Sequence, residues 1–206
     1  MMNDLEFAGL LVSRLCHDLV SPIGAIMNGL EILDDECDAA MRADAMQLVA
    51  SSAEQAAARL QFARIAFGAA GSTGAQLDLT EIGRMVGGLF AGRKTELEWH
   101  AAPVTWAKDW AKLLMNAVLL AGDSLPRGGT VRVETSTDPS APGFNIRATG
   151  QGARVLEEVE RAVRGEPNGP VDGRSIQAYL THKLARALNA GLTLTHGEQE
   201  LVLTAG

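Results

Sequence analysis

His17 stands beside Asp18, with Pro22 five residues beyond the histidine, inside the stretch LCHDLVSPIGAIMNGLEIL at 15–33. A neutral imidazole is a usable nucleophile near pH 7 and can later release what it has taken up, so such a residue suits group transfer. The proline is the odd member of the set, because it cannot donate the helical hydrogen bond to the carbonyl of Asp18 and its ring crowds that carbonyl. A kink one turn after the histidine is therefore expected.

The element that must position these residues is a long amphipathic helix. Val12, Leu15, Leu19, Ile23, Ile26, Leu30 and Leu33 step by three and four, as one face of a 3.6-residue period does. At about 100° per residue, His17 points almost opposite that stripe and is predicted to face water. Arg14, Ser21, Gly24 and Asn28 fall on its side, with Ala25 slightly further round, so mostly short side chains surround one imidazole. A second helical pattern runs from about Ala39 to Phe67, with Val49, Ala53, Ala56, Leu60, Ala63 and Phe67 as its stripe. Two long helices joined by the polar turn DDECD make an antiparallel hairpin. Such a hairpin cannot bury its apolar faces alone, and dimerisation into a four-helix bundle is the economical solution.

GAAGSTGAQ at 68–76 ends the helical pattern, which places a domain boundary there and divides the chain into 1–72 and 73–206. Beyond it, helical LTEIGRMVGGLF, strand-like TELEWH and helical WAKDWAKLLMNAVLLAGDSL at 106–125 are followed by the strands GGTVRVETS and GFNIRAT. Two more helical patterns and a closing hairpin of GLTLTHG and ELVLTA complete the chain. That order predicts an α+β chain whose second part is an α/β sandwich, with helices on one face of a mixed or mostly antiparallel sheet.

The chain has 206 residues, 47% of them apolar, and a formal charge of −7, which suits a folded globular protein and argues against a nucleic-acid partner. No uninterrupted apolar run approaches the roughly 18 residues of a membrane span, and the N-terminus lacks a basic, cleavable leader. The expectation is a cytoplasmic protein without a membrane partner. Cys16 and Cys37 form no metal or disulfide pattern.

Residues 17–26, HDLVSPIGAI, resemble the H-box of bacterial histidine kinases, in which the phospho-accepting histidine precedes an acidic residue, an apolar residue and a proline. The order of elements also resembles a kinase, with a dimerisation and phosphotransfer hairpin before an ATP-binding domain of the Bergerat type. The second half departs from that pattern. In KLLMNAVLLAGD, Asn116 and Ala117 match the end of the asparagine-rich nucleotide box, while Lys112 stands where an earlier asparagine is usual and Leu119 where a basic residue is usual. In NIRATGQGARV, Gly150 and Gly152 match its glycines while Ala148 replaces the adenine-binding aspartate. VDGRSIQAYLTHKL stands where a glycine-rich phosphate loop is usual, so backbone amides to cradle a triphosphate are missing. A phospho-accepting histidine joined to a degenerate nucleotide domain resembles the ChpT-type histidine phosphotransferases of alphaproteobacteria. With only 16 residues before His17, no sensor segment is expected ahead of it.

The resemblance implies a homodimer that takes a phosphoryl group on His17 from the receiver domain of a hybrid histidine kinase. It would pass that group to response-regulator receivers, CtrA-like and CpdR-like, in cell-cycle control. It implies that Asp18 orients and polarises the imidazole, and that the surface for the receiver includes Arg14, Ser21, Pro22, Gly24, Ala25 and Asn28. It also implies no bound cofactor or metal, Mg²⁺ being supplied on the partner receiver, and leaves Asn116, Gly150 and Gly152 as remnants. For Arg14 two readings stand, steadying a transferring phosphate or simple solvation. Two further functions compete: an ATP-dependent kinase with divergent boxes, and a kinase-like adaptor without catalysis.

Overall fold

Asn3 starts the first helix with a reciprocal cap, its side chain accepting from the Glu6 amide at 2.9 Å while the Glu6 carboxylate accepts from the Asn3 amide at 2.9 Å. The helix, α1, then runs unbroken over Asp4–Asp34, with Pro22 inside it. The computed structural model describes residues 2–35, 38–68, 75–167 and 171–206. Cys37 and the boundary expected between residues 72 and 73 lie outside the described residues. Asp38 caps α2, Ala39–Ala66, by accepting from the Met41 amide at 2.8 Å.

The two helices pack as an antiparallel hairpin, and the packing splits the expected stripe of α1 in two. Pro22 and Gly29 are buried against α2, with Leu15, Leu19, Ile26 and Leu33 half-buried, whereas Val12, Ile23 and Leu30 stay exposed at 59%, 49% and 44%. On α2 the buried side is Ala45, Ser52 and Ala63 with Val49 and Ala56, while Ala53 and Leu60 turn outward. The physical reason is close approach. A Cβ on Gly29 would lie 2.7 Å from Val49 Cγ2 and 3.2 Å from the Ala45 carbonyl, so the helices meet through their smallest residues and larger apolar side chains are left outside. By length and composition α1 is long and apolar enough to cross a membrane, although no uninterrupted apolar run is.

The second part contains β1 (Gln76–Asp78), α3 (Leu79–Phe90), β2 (Thr95–His100), β3 (Thr105–Ala107), α4 (Lys108–Asp123), β4 (Gly129–Thr135) and β5 (Phe144–Thr149). It ends with α5 (Glu157–Arg164), α6 (Ile176–Ala187), β6 (Thr193–His196) and β7 (Glu200–Ala205). Five strands form a mixed sheet of order β2-β4-β5-β7-β6, in which β2 and β4 run parallel and the other pairs antiparallel. Val131, Val133, Ile146, Ala148, Leu201 and Leu203 bury one face beneath the helices, and alternate residues such as Arg132 and Arg147 line the open face.

Two features depart from the expected elements. Trp106, which periodicity assigns to the helix of α4, sits in β3 opposite Leu77 of β1 and is only 1% exposed. The end of α2 belongs to the second core, where Phe62 and Ala66 are buried with α3 and α4.

Candidate functional site

His17 lies near the middle of α1 with 86% of its side chain exposed, as the helical period requires of a residue opposite the packed face. Its Nδ1 is 3.4 Å from Asp18 Oδ1, and the Asp18 side chain is itself only 25% exposed. One ring nitrogen is thus turned to a carboxylate while the ring as a whole remains open to an approaching molecule.

Pro22 explains how Asp18 is held. The Asp18 carbonyl, which Pro22 cannot bond, accepts instead from Arg59 Nη1 of α2. The missing helical bond is replaced by a bond between helices, placed at the turn that carries His17. Burial, and then the neighbouring Arg93, push the Arg59 guanidinium below its ordinary value, with Asp18 acting in the opposite sense.

The other side of Asp18 is fixed by Arg14, whose Nε donates to Asp18 Oδ2 at 3.0 Å and whose Nη2 donates to Asp123 Oδ2 at 3.1 Å. Arg93 adds a longer contact of 3.9 Å to Asp123. Burial opposes the charge on Arg14, but Asp123 and Asp18 outweigh it and hold the guanidinium above its ordinary value. Asp123 is crowded by protein atoms although 40% of its side chain meets water. That crowding lifts its carboxyl above the usual range against the pull of Arg14 and Arg93. These five charged residues line a cleft of about 290 Å³ between the hairpin and the α/β part.

Of the surface expected around His17, Ser21, Gly24 and Asn28 are exposed and Ala25 is half-buried; a Cβ on Gly24 would meet nothing within 4 Å. Two members need correction. Pro22 is buried against α2, so it shapes the helix and does not offer itself to a partner. Arg14, with a side chain only 17% exposed, is neither solvated nor free, because two carboxylates hold it. Sequence reasoning assigned no role to Arg59, Arg93 or Asp123. The one usable signal was the carbonyl that Pro22 leaves without a donor.

The residues matched to a nucleotide site have structural work to do. Asn116 is fully buried, and its Nδ2 donates to the carbonyls of Ala66 at 3.2 Å and Lys112 at 2.9 Å, tying α4 to the end of α2. A Cβ on Gly150 would lie 2.4 Å from the Gly128 carbonyl, and Gly152 has φ +73°, so close backbone approach and a left-handed turn account for both glycines. Among the described residues no group of three His, Cys, Asp or Glu is placed to hold a metal. His100 and His196 sit beside Glu98 and Glu160 at 3.7 and 3.4 Å, and His182 contacts the Val163 carbonyl at 3.0 Å.

A family model described as the histidine phosphotransferase C-terminal domain matches residues 79–200, more than half of the chain. The chain belongs to the histidine phosphotransferase family. It is similar to the protein phosphotransferase ChpT of Brucella abortus (strain 2308), with 38% identity over 205 residues, covering 99% of this chain and 97% of that one. It is also similar to a bacterial phosphotransferase solved at 1.7 Å, with a TM-score of 0.89 and 39% identity, covering 100% of this chain and 98% of the other. The chain is accordingly a phosphotransferase, and its helical hairpin followed by an α/β sandwich is the architecture expected from the sequence.

Proposed function

We propose that this phosphotransferase is a relay acting through His17. The observation that carries the reading is an imidazole 86% exposed whose Nδ1 faces a carboxylate pinned by Arg14, with the same residue's carbonyl held by Arg59. The lone pair on Nε2 attacks the phosphorus of a phosphorylated receiver aspartate. A P–N bond forms as the P–O bond breaks, and the aspartate leaves as a carboxylate. The Nδ1 proton stays on the ring, where Asp18 balances the positive charge. Attack by a second receiver's aspartate on the phosphohistidine reverses these steps. Phosphoryl transfer asks mainly for in-line positioning and charge neutralisation. Mg²⁺ belongs to the receiver, and this chain supplies the nucleophile, its orientation and the landing surface at Ser21, Gly24, Ala25 and Asn28.

The donor is the receiver domain of a hybrid histidine kinase and the acceptors are response-regulator receivers, CtrA-like and CpdR-like in cell-cycle control, as the resemblance to ChpT-type proteins implies. The protein acts in the cytoplasm as a homodimer. Among the described residues, eleven of the twelve exposed large apolar side chains lie on the hairpin, which supports burial against a second hairpin. The part from residue 73 onward serves as a second docking surface for the receiver, and the position of Asp123 and Arg93 in the cleft beside Asp18 supports this.

The test compares wild type with His17→Gln, each incubated with labelled ATP alone and then with a labelled phosphorylated receiver. Label arriving only from the receiver and only on wild type is the expected result. Label taken from ATP would make the protein a kinase.

A further inference from the structure

The first turns of α1 have no counterpart on α2. Gly29 lies against Ala45 and Val49, and the Asp18 carbonyl meets Arg59, so in this antiparallel register the end of α2 at Phe67 falls opposite about residue 10 of α1. Residues 4–9 therefore project past the hairpin. Phe7 is nonetheless half-buried, while Leu5 is 84% exposed. Its neighbour there is α6. The Phe7 ring meets Tyr179 edge to face, with centroids 6.2 Å apart, and Lys183 Nζ stands 5.1 Å from the Phe7 centroid and 5.8 Å from that of Tyr179. Tyr179 also stacks on His182 at 6.5 Å. Ile176, Ala178, Thr181 and Ala185 bury the other side of α6, so Phe7 grips an element fixed in the second core.

Phe7 and Arg14 lie two turns apart on one helix, within about 20° of each other in direction and about 10 Å apart along the axis. Arg14 is bonded to Asp123 of α4, and Asn116 of α4 donates to the Ala66 carbonyl at the end of α2. One contact leaves two parts free to pivot, and relative motion is the default for parts joined by a small interface. Separated contacts on one helix face remove that freedom. We propose that Phe7, Tyr179 and Lys183 form a clamp that holds the α/β part at a fixed angle to the helix of His17. They are thereby positioning residues, which keep the landing surface around His17 and the second docking surface at one spacing for the receiver. That consequence rests on the relay reading above, whereas the clamp itself does not.

The experiment uses the full chain, isotope-labelled for backbone amide relaxation, and compares the rotational correlation times of the hairpin and the α/β part. In the wild type the two are expected to agree. Phe7→Ala removes an aromatic pair and a cation–π contact, each a factor of about two to ten in an equilibrium. Lys183→Gln removes only the cation. Both should shorten the correlation time of the α/β amides relative to the hairpin, Phe7→Ala more so, while Phe7→Tyr and Lys183→Arg keep the wild-type value. Lys183 is exposed, so its variants stay folded even where Phe7→Ala does not. With a phosphorylated receiver as donor, Phe7→Ala should raise the receiver KM several-fold and leave the rate at saturation unchanged, because the His17–Asp18 contact is untouched. A wild type that fails to accept the phosphoryl group would tell against the relay and leave the relaxation result standing. Three results would overturn the clamp: independent tumbling of the α/β part in the wild type, equal correlation times in both weakened variants, or a lower saturating rate at constant KM, which would make Phe7 a support of the histidine's own helix.

Discussion

Arg14 Nη2 lies 3.1 Å from Asp123 Oδ2, which joins the helix of His17 to the last residue of α4 across 109 positions of sequence. Because the same guanidinium holds Asp18 at 3.0 Å, Asp123 acts on the imidazole at second hand. Asp123→Asn should lower stability by only about 1 kcal/mol, since the pair is partly open to water. It should slow transfer from a phosphorylated receiver several-fold. Urea unfolding and single-turnover transfer on the same preparations check the two halves separately, and an unchanged rate would confine Asp123 to holding the two parts together.

Arg59 and Pro22 should be energetically coupled. With Pro22 in place, Arg59→Ala leaves the Asp18 carbonyl without a donor and should cost about 1–3 kcal/mol. In a Pro22→Ala background the restored amide can bond that carbonyl, so the same Arg59→Ala change should cost clearly less. A double-mutant cycle by chemical denaturation measures this, and strictly additive losses would refute the coupling.

The uncovered apolar face of α1 predicts the assembly. At about 100° per residue, Leu5, Val12, Ile23 and Leu30 fall within about 20° of one another, and His17 lies about 120–140° away from them. A charge on this face should break the proposed dimer without touching the histidine. Ile23→Glu is expected to shift sedimentation from dimer to monomer while the helical circular dichroism signal stays; an unaltered sedimentation coefficient would mean that the hairpins associate through another face.

Acid should loosen the second part through its depressed carboxyls. Burial works against the charge of Asp172, but hydrogen bonds from the amides of Ser175 and Arg174 and from the Ser175 hydroxyl outweigh it and set its value below the ordinary 3.8. Thr80 does the same for Asp78 at the start of α3. A folded value below the unfolded one contributes stability that is present above 3.8 and disappears as pH falls through the folded value. Denaturation midpoints should therefore drop on acidification in that window. Asp172→Asn, which keeps an acceptor but no titration, should flatten part of the drop.

Much of the site was legible from one helix. The period of three and four residues places His17 opposite the packed face because rotation per residue is a local property of the backbone, and the same period brings Ser21, Gly24 and Asn28 to its side. Periodicity could not tell which part of the apolar stripe of α1 packs on α2 and which stays exposed. That division depends on how closely the helices approach, which Gly29 and Ala45 decide.

The amino-acid order by itself determined the two long helices, the strand and helix succession of the second part apart from the β1–β3 pair, the exposure of His17 and the family to which the chain belongs. Only the tertiary structure decided that Arg59 replaces the bond Pro22 cannot make, that Arg14 is held and not solvated, and that Asp123 reaches it. It also decided that Asn116 ties α4 to α2. These contacts join residues 41 to 109 positions apart, and a pairing over such separations is set by the packing of whole elements, which leaves no period or spacing in the sequence to read.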